Sequence, residues 1–249
     1  MAEPAGLREY PRWDFSQLDR WGPTLAERAT GSARLRGWQR VGRLFCTVLG
    51  QVQFEGLERI PDNGAAILVI NHTSALDGAL LFGFSERTVS FLVKAEAFEP
   101  AAGLAGRILI QGAQVPVRRG WIDPSPVRLS LDLLEQGALL GICPEGARGD
   151  GRVRQVRPGV GYFALKSGAP VVPIAIHGSA AMVHRSPWRR VPVRVVVGEP
   201  LSFERAQPGP LNRRRWVAAT EQIRARMAEL VRATEPDPAV VTARTRVDQ

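Results

Sequence analysis

Short apolar runs rich in branched residues alternate with helical patterns along most of this chain. In the clearest case, Ile67 to Ile70 indicates a buried strand, polar Asn71 and His72 follow, and an apolar helical pattern resumes at Leu76. Further strand patterns cover Thr88–Val93, Ile108–Val117, Ala138–Cys143, Val171–Ile176 and Val191–Val197, the last expected at an edge. Because strands that alternate with helices pack as parallel sheets, the chain is predicted to be an α/β protein with helices flanking a largely parallel central sheet.

Length and composition restrict the class of protein. The 249 residues, of which 45% are hydrophobic, suffice for one α/β domain with appendages or for two small domains. The longest uncharged apolar stretch, Leu44 to Phe54, is about half of a membrane span. The N-terminus lacks the basic start and apolar segment of a secretory signal, so the cytoplasm is the expected compartment. The two cysteines, Cys46 and Cys143, are too far apart in sequence to indicate a metal site or a disulfide framework.

The chain carries a formal net charge of +9, and Lys94 and Lys166 are its only lysines among 33 basic residues. Such a charge favours anionic partners, namely phosphate-bearing substrates, coenzyme A, an anionic membrane surface or nucleic acid. A nonenzymatic module that binds nucleic acid would show a basic stripe interleaved with aromatic residues or a recognisable motif. Neither is present, so no nucleic-acid partner is expected.

The N-terminal part, residues 1–54, is predicted to be a lead-in followed by an amphipathic helix over Ala33 to Val52. Its apolar residues at helical spacing are Leu35, Trp38, Val41, Leu44, Phe45, Val48 and Leu49, and its arginines are Arg36, Arg40 and Arg43. Such a helix either lies in a membrane interface or packs on the core with a solvated arginine face, and the sequence leaves both open. Residues 55–233 are predicted to form the α/β domain, and residues 234–249 a disordered tail.

Polar side chains recur where the predicted strands end, and in a parallel sheet these ends share one edge. His72 and Asp77 are five residues apart, about 140° around a helix, so they do not share a helical face. If His72 lies in the turn and Asp77 one turn into the helix, the carboxylate can orient the imidazole as a general base. A histidine at this position is also often a capping or buried structural group. His177, at the end of another strand, is interpreted as structural.

Four segments resemble, in order and at compatible spacing, the sequence blocks of the glycerolipid acyltransferases, a family that includes the 1-acylglycerol-3-phosphate acyltransferases. The segments are Asn71-His72-x-x-x-x-Asp77, Gln114 to Arg118, Pro144 to Arg148 and Ala169 to Ile174, and the resemblance covers residues 55–200.

The resemblance implies transfer of a fatty acyl group from acyl-CoA, or from acyl carrier protein, to the free hydroxyl of a lysophospholipid, foremost 1-acylglycerol-3-phosphate. His72 is then the general base and Asp77 holds its imidazole. The substrate-binding residues implied are Lys94, Arg118, Glu145, Gly146 and Arg148. No cofactor, metal or covalent acyl-enzyme is implied, and the expected location is the cytoplasm, peripherally associated with the inner face of the cell membrane.

The third block departs from the family pattern, which usually reads aromatic-Pro-Glu-Gly-Thr-Arg-Ser. Here Cys143 replaces the aromatic residue, and Ala147 and Gly149 replace the two hydroxyl residues. A looser phosphate subsite or another acceptor, such as glycerol-3-phosphate, a different lysophospholipid or a glycolipid, is therefore an alternative. The condensation and carnitine-type acyltransferases, with His-His-x-x-x-Asp-Gly, fit less well because the spacing differs by one and Asn71 replaces the first histidine.

Overall fold

The computed structural model of the chain describes residues 33–98, 106, 109, 112–118, 124–184 and 190–236. The strands in these ranges are β1 (Gly50–Glu55), β2 (Ala66–Ile70), β3 (Val89–Lys94), β4 (Val115–Val117), β5 (Leu139–Ile142), β6 (Val171–His177) and β7 (Val191–Val197). The named α-helices are α1 (Ala33–Leu49), α2 (Asp77–Phe84), α3 (Pro124–Glu135), α4 (Gly159–Ser167), α5 (Ser179–His184) and α6 (Arg213–Thr234).

These strands form one seven-stranded sheet in the order β1–β7–β6–β2–β5–β3–β4. Strands β6, β2, β5, β3 and β4 run parallel to one another. Strand β7 is antiparallel to β6 and parallel to the outermost strand β1. The carboxyl ends of the five parallel strands therefore share one edge, and the prediction of a largely parallel sheet flanked by helices is confirmed.

The core lies on both faces of the sheet, as the uninterrupted apolar sequence of β2 predicts. All five β2 residues are fully buried. Leu68 and Ile70 pack in the layer that includes Leu80 and Leu81 of α2 and Cys46 of α1. Ile67 and Val69 point to the opposite face, because side chains alternate along a strand, and there they meet residues of α3, α4 and α6. Helices thus cover both faces of the sheet.

Three features of the fold differ from the sequence prediction. Helix α1 ends at Leu49 rather than Val52, because the alternating polar and apolar residues from Gly50 onward form β1. Strand β1 lies outside β7, so β7 is not an edge strand as expected. Among the described residues of the strand predicted over Ile108–Val117, Val115–Val117 form a strand, whereas Leu109 is helical and residues 112–114 are not in a strand. Residues 1–32 and 237–249, which belong to the predicted lead-in and tail, lie outside the described residues, and the predicted domain division stays a prediction.

Helix α1 has three distinct faces. One packs on α2, where Gly42 lies against Gly83 and Arg43 donates to the Gly83 carbonyl. The second face carries arginines. The third is apolar and open, with exposed fractions of 56% for Val41, 66% for Leu44, 51% for Phe45 and 53% for Val48. Within the described residues, no helix is both long enough and apolar enough to cross a membrane.

Candidate active site

The turn between β2 and α2 is tied to the neighbouring strand β6 by a side chain. The Asn71 amide donates to the Ile176 carbonyl at 3.0 Å, and the Ile176 N–H donates to Asn71 Oδ1 at 2.7 Å. This pair continues the β2–β6 hydrogen bonding past Ile70, where the backbone ladder ends. Asn71 therefore fixes the point at which the chain leaves the sheet, one residue before His72.

The imidazole of His72 faces the carboxylate of Asp77, with His72 Nδ1 and Asp77 Oδ2 3.1 Å apart. Asp77 is fully buried, and its Oδ2 also accepts the backbone N–H groups of Thr73 and Ser74 at 2.8 Å each. Since an ionised carboxylate only accepts hydrogen bonds, a neutral imidazole bonded to it carries its proton on Nδ1 and keeps the lone pair on Nε2. The His72 side chain is 18% exposed, and within the described residues Nε2 has no hydrogen-bond partner. The contact is the predicted one, although Asp77 begins α2 instead of lying one turn into it, and the contact suits a general base.

A serine from α5 completes the surroundings of Asp77. Ser179 is fully buried, and its hydroxyl donates to Asp77 Oδ1 at 2.5 Å. Its oxygen also lies 2.9 Å from Thr73 Oγ1. Sequence reasoning missed Ser179 because it lies 102 residues after Asp77 and outside every motif. Its position directly after β6, at the shared edge of strand ends, was the available signal.

The loop after β5 holds the main chain of His72 from both sides. The His72 N–H donates to Glu145 Oε2 at 2.9 Å, and the Gly149 N–H donates to the His72 carbonyl at 2.9 Å. Burial raises the pKa of Glu145, and the backbone N–H groups of His72 and Val153 oppose that shift. The carboxylate of Glu145 thus organises the backbone around the histidine.

Two residues of this loop have left-handed backbone conformations that the fold requires. Gly146 has a φ of 71°, and the Arg157 side chain packs so closely that a Cβ at Gly146 would collide with it. Val153 has a φ of 52° although it is β-branched, which costs about 1–2 kcal/mol. It is fully buried in the apolar layer with α4 and α6, and its N–H donates to Glu145. Burial and hydrogen bonding together offset the strain and fix the path of the loop.

The predicted cationic residues lie along the same edge. Lys94 ends β3 and is exposed, and it pairs in register with Val117, which precedes Arg118. The registers from β2 through β5 and β3 to β4 place His72, Lys94 and Arg118 at similar heights. With a strand spacing of about 4.8 Å, the backbones at Lys94 and Arg118 lie about 10 Å and 14 Å along the edge from His72.

The structure brings His72, Asp77 and Glu145 into direct contact, and it places Lys94 and Arg118 two and three strands away. Arg148 is exposed on the loop that holds His72, next to the turn at Gly146. The edge thus combines an oriented imidazole with cations on the same loop and on strands up to about 14 Å away. Whether each residue acts in catalysis or binding stays a prediction.

Comparison with known proteins relates this chain to acyltransferases. The family model described as Acyltransferase matches residues 51–177. The chain is 25% identical over 189 residues to the 1-acyl-sn-glycerol-3-phosphate acyltransferase of Bacillus subtilis, covering 76% of this chain and 92% of that protein. It is 30% identical over 166 residues to a chloroplastic 1-acyl-sn-glycerol-3-phosphate acyltransferase of Arabidopsis thaliana, covering 63% of this chain. The match spans only 45% of that plastid relative's length.

A solved structure shares the fold. The crystal structure of the 1-acyl-sn-glycerophosphate acyltransferase from Thermotoga maritima aligns with a TM-score of 0.57 and 24% identity, over 89% of this chain and 92% of that one. The family model spans just over half of the 249 residues and includes the His72–Asp77 turn and the loop that holds it. The chain therefore belongs to the acyltransferase family.

Proposed function

We propose that this protein transfers a fatty acyl group from acyl-CoA, or from acyl carrier protein, to the free hydroxyl of a lysophospholipid, foremost 1-acylglycerol-3-phosphate, giving phosphatidic acid. The observation that carries the proposal is the buried, hydrogen-bonded Asp77 that orients His72 at an edge lined with cations. The names of the relatives from Bacillus subtilis and Arabidopsis thaliana support the choice of acceptor.

In the proposed reaction, His72 Nε2 takes the proton from the acceptor hydroxyl as its oxygen attacks the thioester carbonyl carbon. A C–O bond forms, and the tetrahedral intermediate collapses with cleavage of the C–S bond. The leaving thiolate takes the proton from the imidazolium, so the free thiol and the neutral histidine are regenerated. Asp77 holds the ring and stabilises the positive charge that it carries between the two transfers. Positioned base catalysis of this kind contributes about 10²–10⁴-fold in rate.

The proposed acceptor site uses the cations along the edge. Lys94, Arg118 and Arg148 attract the phosphate, and guanidinium groups can bind two of its oxygens. Glu145 and Gly146 act through the backbone, because a carboxylate repels a phosphate but holds the His72 amide well. The acceptor hydroxyl is then presented to His72 while its phosphate lies further along the edge.

Another acceptor for the same chemistry is the second candidate, favoured by Ala147 and Gly149. Gly149 touches the site, since its N–H binds the His72 carbonyl and a Cβ built on it would lie 3.7 Å from Glu145 Oε1. The hydroxyl that the usual family pattern has at this position would lie beside the same carboxylate. Its absence alters the environment next to the proposed phosphate site.

An acylation assay read by mass spectrometry tests the proposal. Palmitoyl-CoA, oleoyl-CoA and acyl carrier protein donors are offered with lysophosphatidic acid, glycerol-3-phosphate and a panel of lysolipids. We expect phosphatidic acid from the wild type and a loss of at least about 100-fold in His72→Ala. His177→Gln serves as the matched histidine control, because the His177 ring binds Thr234 of α6 and does not contact His72 or Asp77.

If product forms only from a different acceptor, the proposed acyl-transfer reaction stands. The altered acceptor preference would then be assigned to the third block, at Ala147 and Gly149. Equal activity in the wild type and in a folded His72→Ala variant would refute a role for His72 as the base. The absence of product from every donor and acceptor would refute the acyltransferase function itself.

We further propose that the protein binds the anionic inner surface of the cell membrane through α1. Val41, Leu44, Phe45 and Val48 form an open apolar stripe, and exposed Arg40 lies beside it on the helix. An apolar stripe flanked by arginines is the pattern of a helix that lies in the interface of anionic lipids. The net charge of +9 favours the same surface.

Sedimentation with vesicles of phosphatidylglycerol and phosphatidylcholine tests this second proposal. The double variant Leu44→Ser/Phe45→Ser and the single variant Arg40→Glu should each reduce the bound fraction, since all three side chains are exposed and contribute little to the core. Val217→Ser is the matched control, because Val217 is also an exposed apolar residue, at 44%, but lies on α6. Equal binding of all variants would refute a role for α1.

A further inference from the structure

Asp77 is held by more groups than the orientation of a histidine alone would require. Its Oδ2 is occupied by His72 Nδ1 and by two backbone N–H groups. Its Oδ1 faces the buried hydroxyl of Ser179. Because Asp77 is fully buried, an oxygen left without a donor would carry the cost of desolvation uncompensated.

The proton on Ser179 can be assigned from this geometry. A serine hydroxyl has one proton, and Ser179 donates it to Asp77 Oδ1 over 2.5 Å. The contact of 2.9 Å with Thr73 Oγ1 must then use the threonine proton. Thr73 therefore donates its hydroxyl to Ser179 and its backbone N–H to Asp77, closing a small network around the carboxylate.

We propose that Ser179 is a positioning residue of the reaction, which fixes the rotation of the Asp77 carboxylate so that Oδ2 faces His72. Ser179 does not contact the imidazole and acts through Asp77. The inference rests on the proposed function, in which His72 is the base. Without the Ser179 donor, the carboxylate can turn Oδ1 towards other donors, and the imidazole loses its fixed Nδ1–H tautomer.

The experiment combines kinetics with a measurement that does not need activity. We expect Ser179→Ala to lower kcat about 10- to 100-fold, with KM for both substrates within about twofold, because the lost hydrogen bond is charge-assisted. Ser179→Thr keeps the hydroxyl and should recover most of kcat. Ser130→Ala is the matched control, because Ser130 is also a fully buried serine that donates a hydrogen bond, but within α3.

The ¹⁵N chemical shifts of the histidine rings provide the second readout. The chain has three histidines, so His72→Gln and His177→Gln assign the signals. We expect the shifts of a single Nδ1–H tautomer for His72 in the wild type and in Ser130→Ala, and a mixture of tautomers in Ser179→Ala. If Ser179→Ala does not fold, Ser179→Cys, which has a similar size and a weak donor, replaces it in both measurements.

An unchanged kcat and an unchanged His72 tautomer in the folded Ser179 variant would overturn the inference. So would a rise in KM with kcat unchanged, which would indicate a role in binding. If the wild type itself transfers no acyl group, the proposed function fails, whereas the tautomer shift still shows whether Ser179 controls the orientation of His72. The two failures are therefore distinguishable.

Discussion

At the scale of single residues, His72 is restrained through its main chain as well as through its ring. Its N–H is bound by Glu145 and its C=O by Gly149, both from the loop that follows β5. A base must keep its direction while substrates bind and leave, and a fixed main chain limits the orientations of its ring. Glu145 is therefore expected to affect the rate although it does not touch the imidazole.

Substitutions at Glu145 separate its hydrogen bonds from its charge. Glu145→Ala removes both acceptor oxygens, whereas Glu145→Gln keeps one for the His72 amide. We expect kcat for acyl transfer to fall about 10-fold or more in Glu145→Ala and clearly less in Glu145→Gln. Circular dichroism checks that each variant is folded. Equal losses in both would show that the charge, and not the hydrogen bond, matters.

Glu145 should also leave a signature in the pH dependence of stability. Burial raises the pKa of its carboxyl in the folded chain, so the folded state binds that proton more tightly than the unfolded state. The stability that it contributes is then lost as pH rises through the ordinary glutamate range and above. Urea titrations should show that the free energy of unfolding of the wild type, minus that of Glu145→Gln, decreases as the pH rises from about 4 to about 7. A constant difference would contradict this prediction.

Gly151 allows the loop after β5 to approach the turn that carries His72 closely. It has a φ of 73°, and a Cβ there would lie 2.5 Å from Thr73 Cγ2 and 3.0 Å from Asn71 Nδ2. Gly64 has a similar φ of 76° but nothing within 4 Å of a Cβ, so it is the matched control. Both Gly→Ala changes cost about 1 kcal/mol of backbone strain. We expect only Gly151→Ala to lower kcat, because only its Cβ displaces Thr73, and full activity of a folded Gly151→Ala would contradict this.

At the scale of elements, α1 and α2 meet at two glycines, and these differ in whether the structure leaves space for a larger side chain. A Cβ at Gly83 would lie 2.7 Å from the Arg43 N and 3.0 Å from the Gly42 C, both backbone atoms. A Cβ at Gly42 would lie 3.7 Å from Phe82 Cδ1 and 3.8 Å from Gly83 Cα, both ordinary van der Waals contacts. Helix α2 begins at Asp77, so this contact joins the exposed helix directly to the element that carries the carboxylate.

The two alanine substitutions should differ in their effect on the free energy of unfolding. We expect Gly83→Ala to lower the free energy of unfolding by about 1–3 kcal/mol, because the backbone of α1 must move away. Gly42→Ala should be neutral or stabilising by up to about 1 kcal/mol, since alanine favours a helix and the space is present. Denaturant titrations measure both. Destabilisation of similar size in both variants would contradict the contact as described.

Strand β6 is joined to α6 through His177. The Thr234 hydroxyl donates to the Leu230 carbonyl and accepts from His177 Nε2 at 2.8 Å. Burial, and then Arg194, lower the pKa of His177, with Glu235 opposing. The folded state therefore binds this proton more weakly than the unfolded state, and stability is lost as pH falls through the ordinary histidine range.

Removal of the titrating group at His177 should flatten this acid sensitivity. Glutamine can still donate to Thr234 but carries no charge in acid. We expect the thermal unfolding midpoint of His177→Gln to fall less than that of the wild type between about pH 8 and 5. An equal decrease of the unfolding midpoint in both proteins would show that His177 does not control the loss of stability in acid.

At the scale of the whole molecule, local sequence patterns predicted the centre of the fold better than its periphery. Strand β2 is an apolar run covered on both faces, and such a run indicates a strand. Strand β1 was missed because its alternating residues continue the apolar spacing of α1. The direction of β1 and β7, opposite to the other strands, depends on pairing between distant segments, and local periodicity does not contain that information.

In the candidate site too, contacts within one local segment were predicted, and contacts between distant segments were not. The His72–Asp77 contact was predicted because both residues lie in one turn and five residues set their geometry. Ser179 and the Glu145 contact with the His72 amide join segments 102 and 73 residues apart. They depend on which strands are neighbours in the sheet, which the sequence motifs alone do not specify.

The charge of the whole molecule predicts a salt-dependent membrane interaction. Increasing the salt concentration from about 0.02 M to 0.5 M shortens the range of electrostatic attraction severalfold, so most protein should leave anionic vesicles. Leu44→Ser/Phe45→Ser should leave at lower salt, because it lacks the apolar contribution of α1. Sedimentation across a salt series measures this, and salt-independent binding of the wild type would contradict a role for the net charge of +9.

The loop around Glu145 and Gly149 has a consequence for how this protein can diverge or be redesigned. The segment proposed to recognise the acceptor also holds both main-chain groups of the proposed base. Selection for a new acceptor therefore acts on catalytic geometry at the same time, and the two properties cannot evolve as independent modules. A transplant of this loop from a relative with another preference should succeed only when the donor segment preserves the two hydrogen bonds to residue 72.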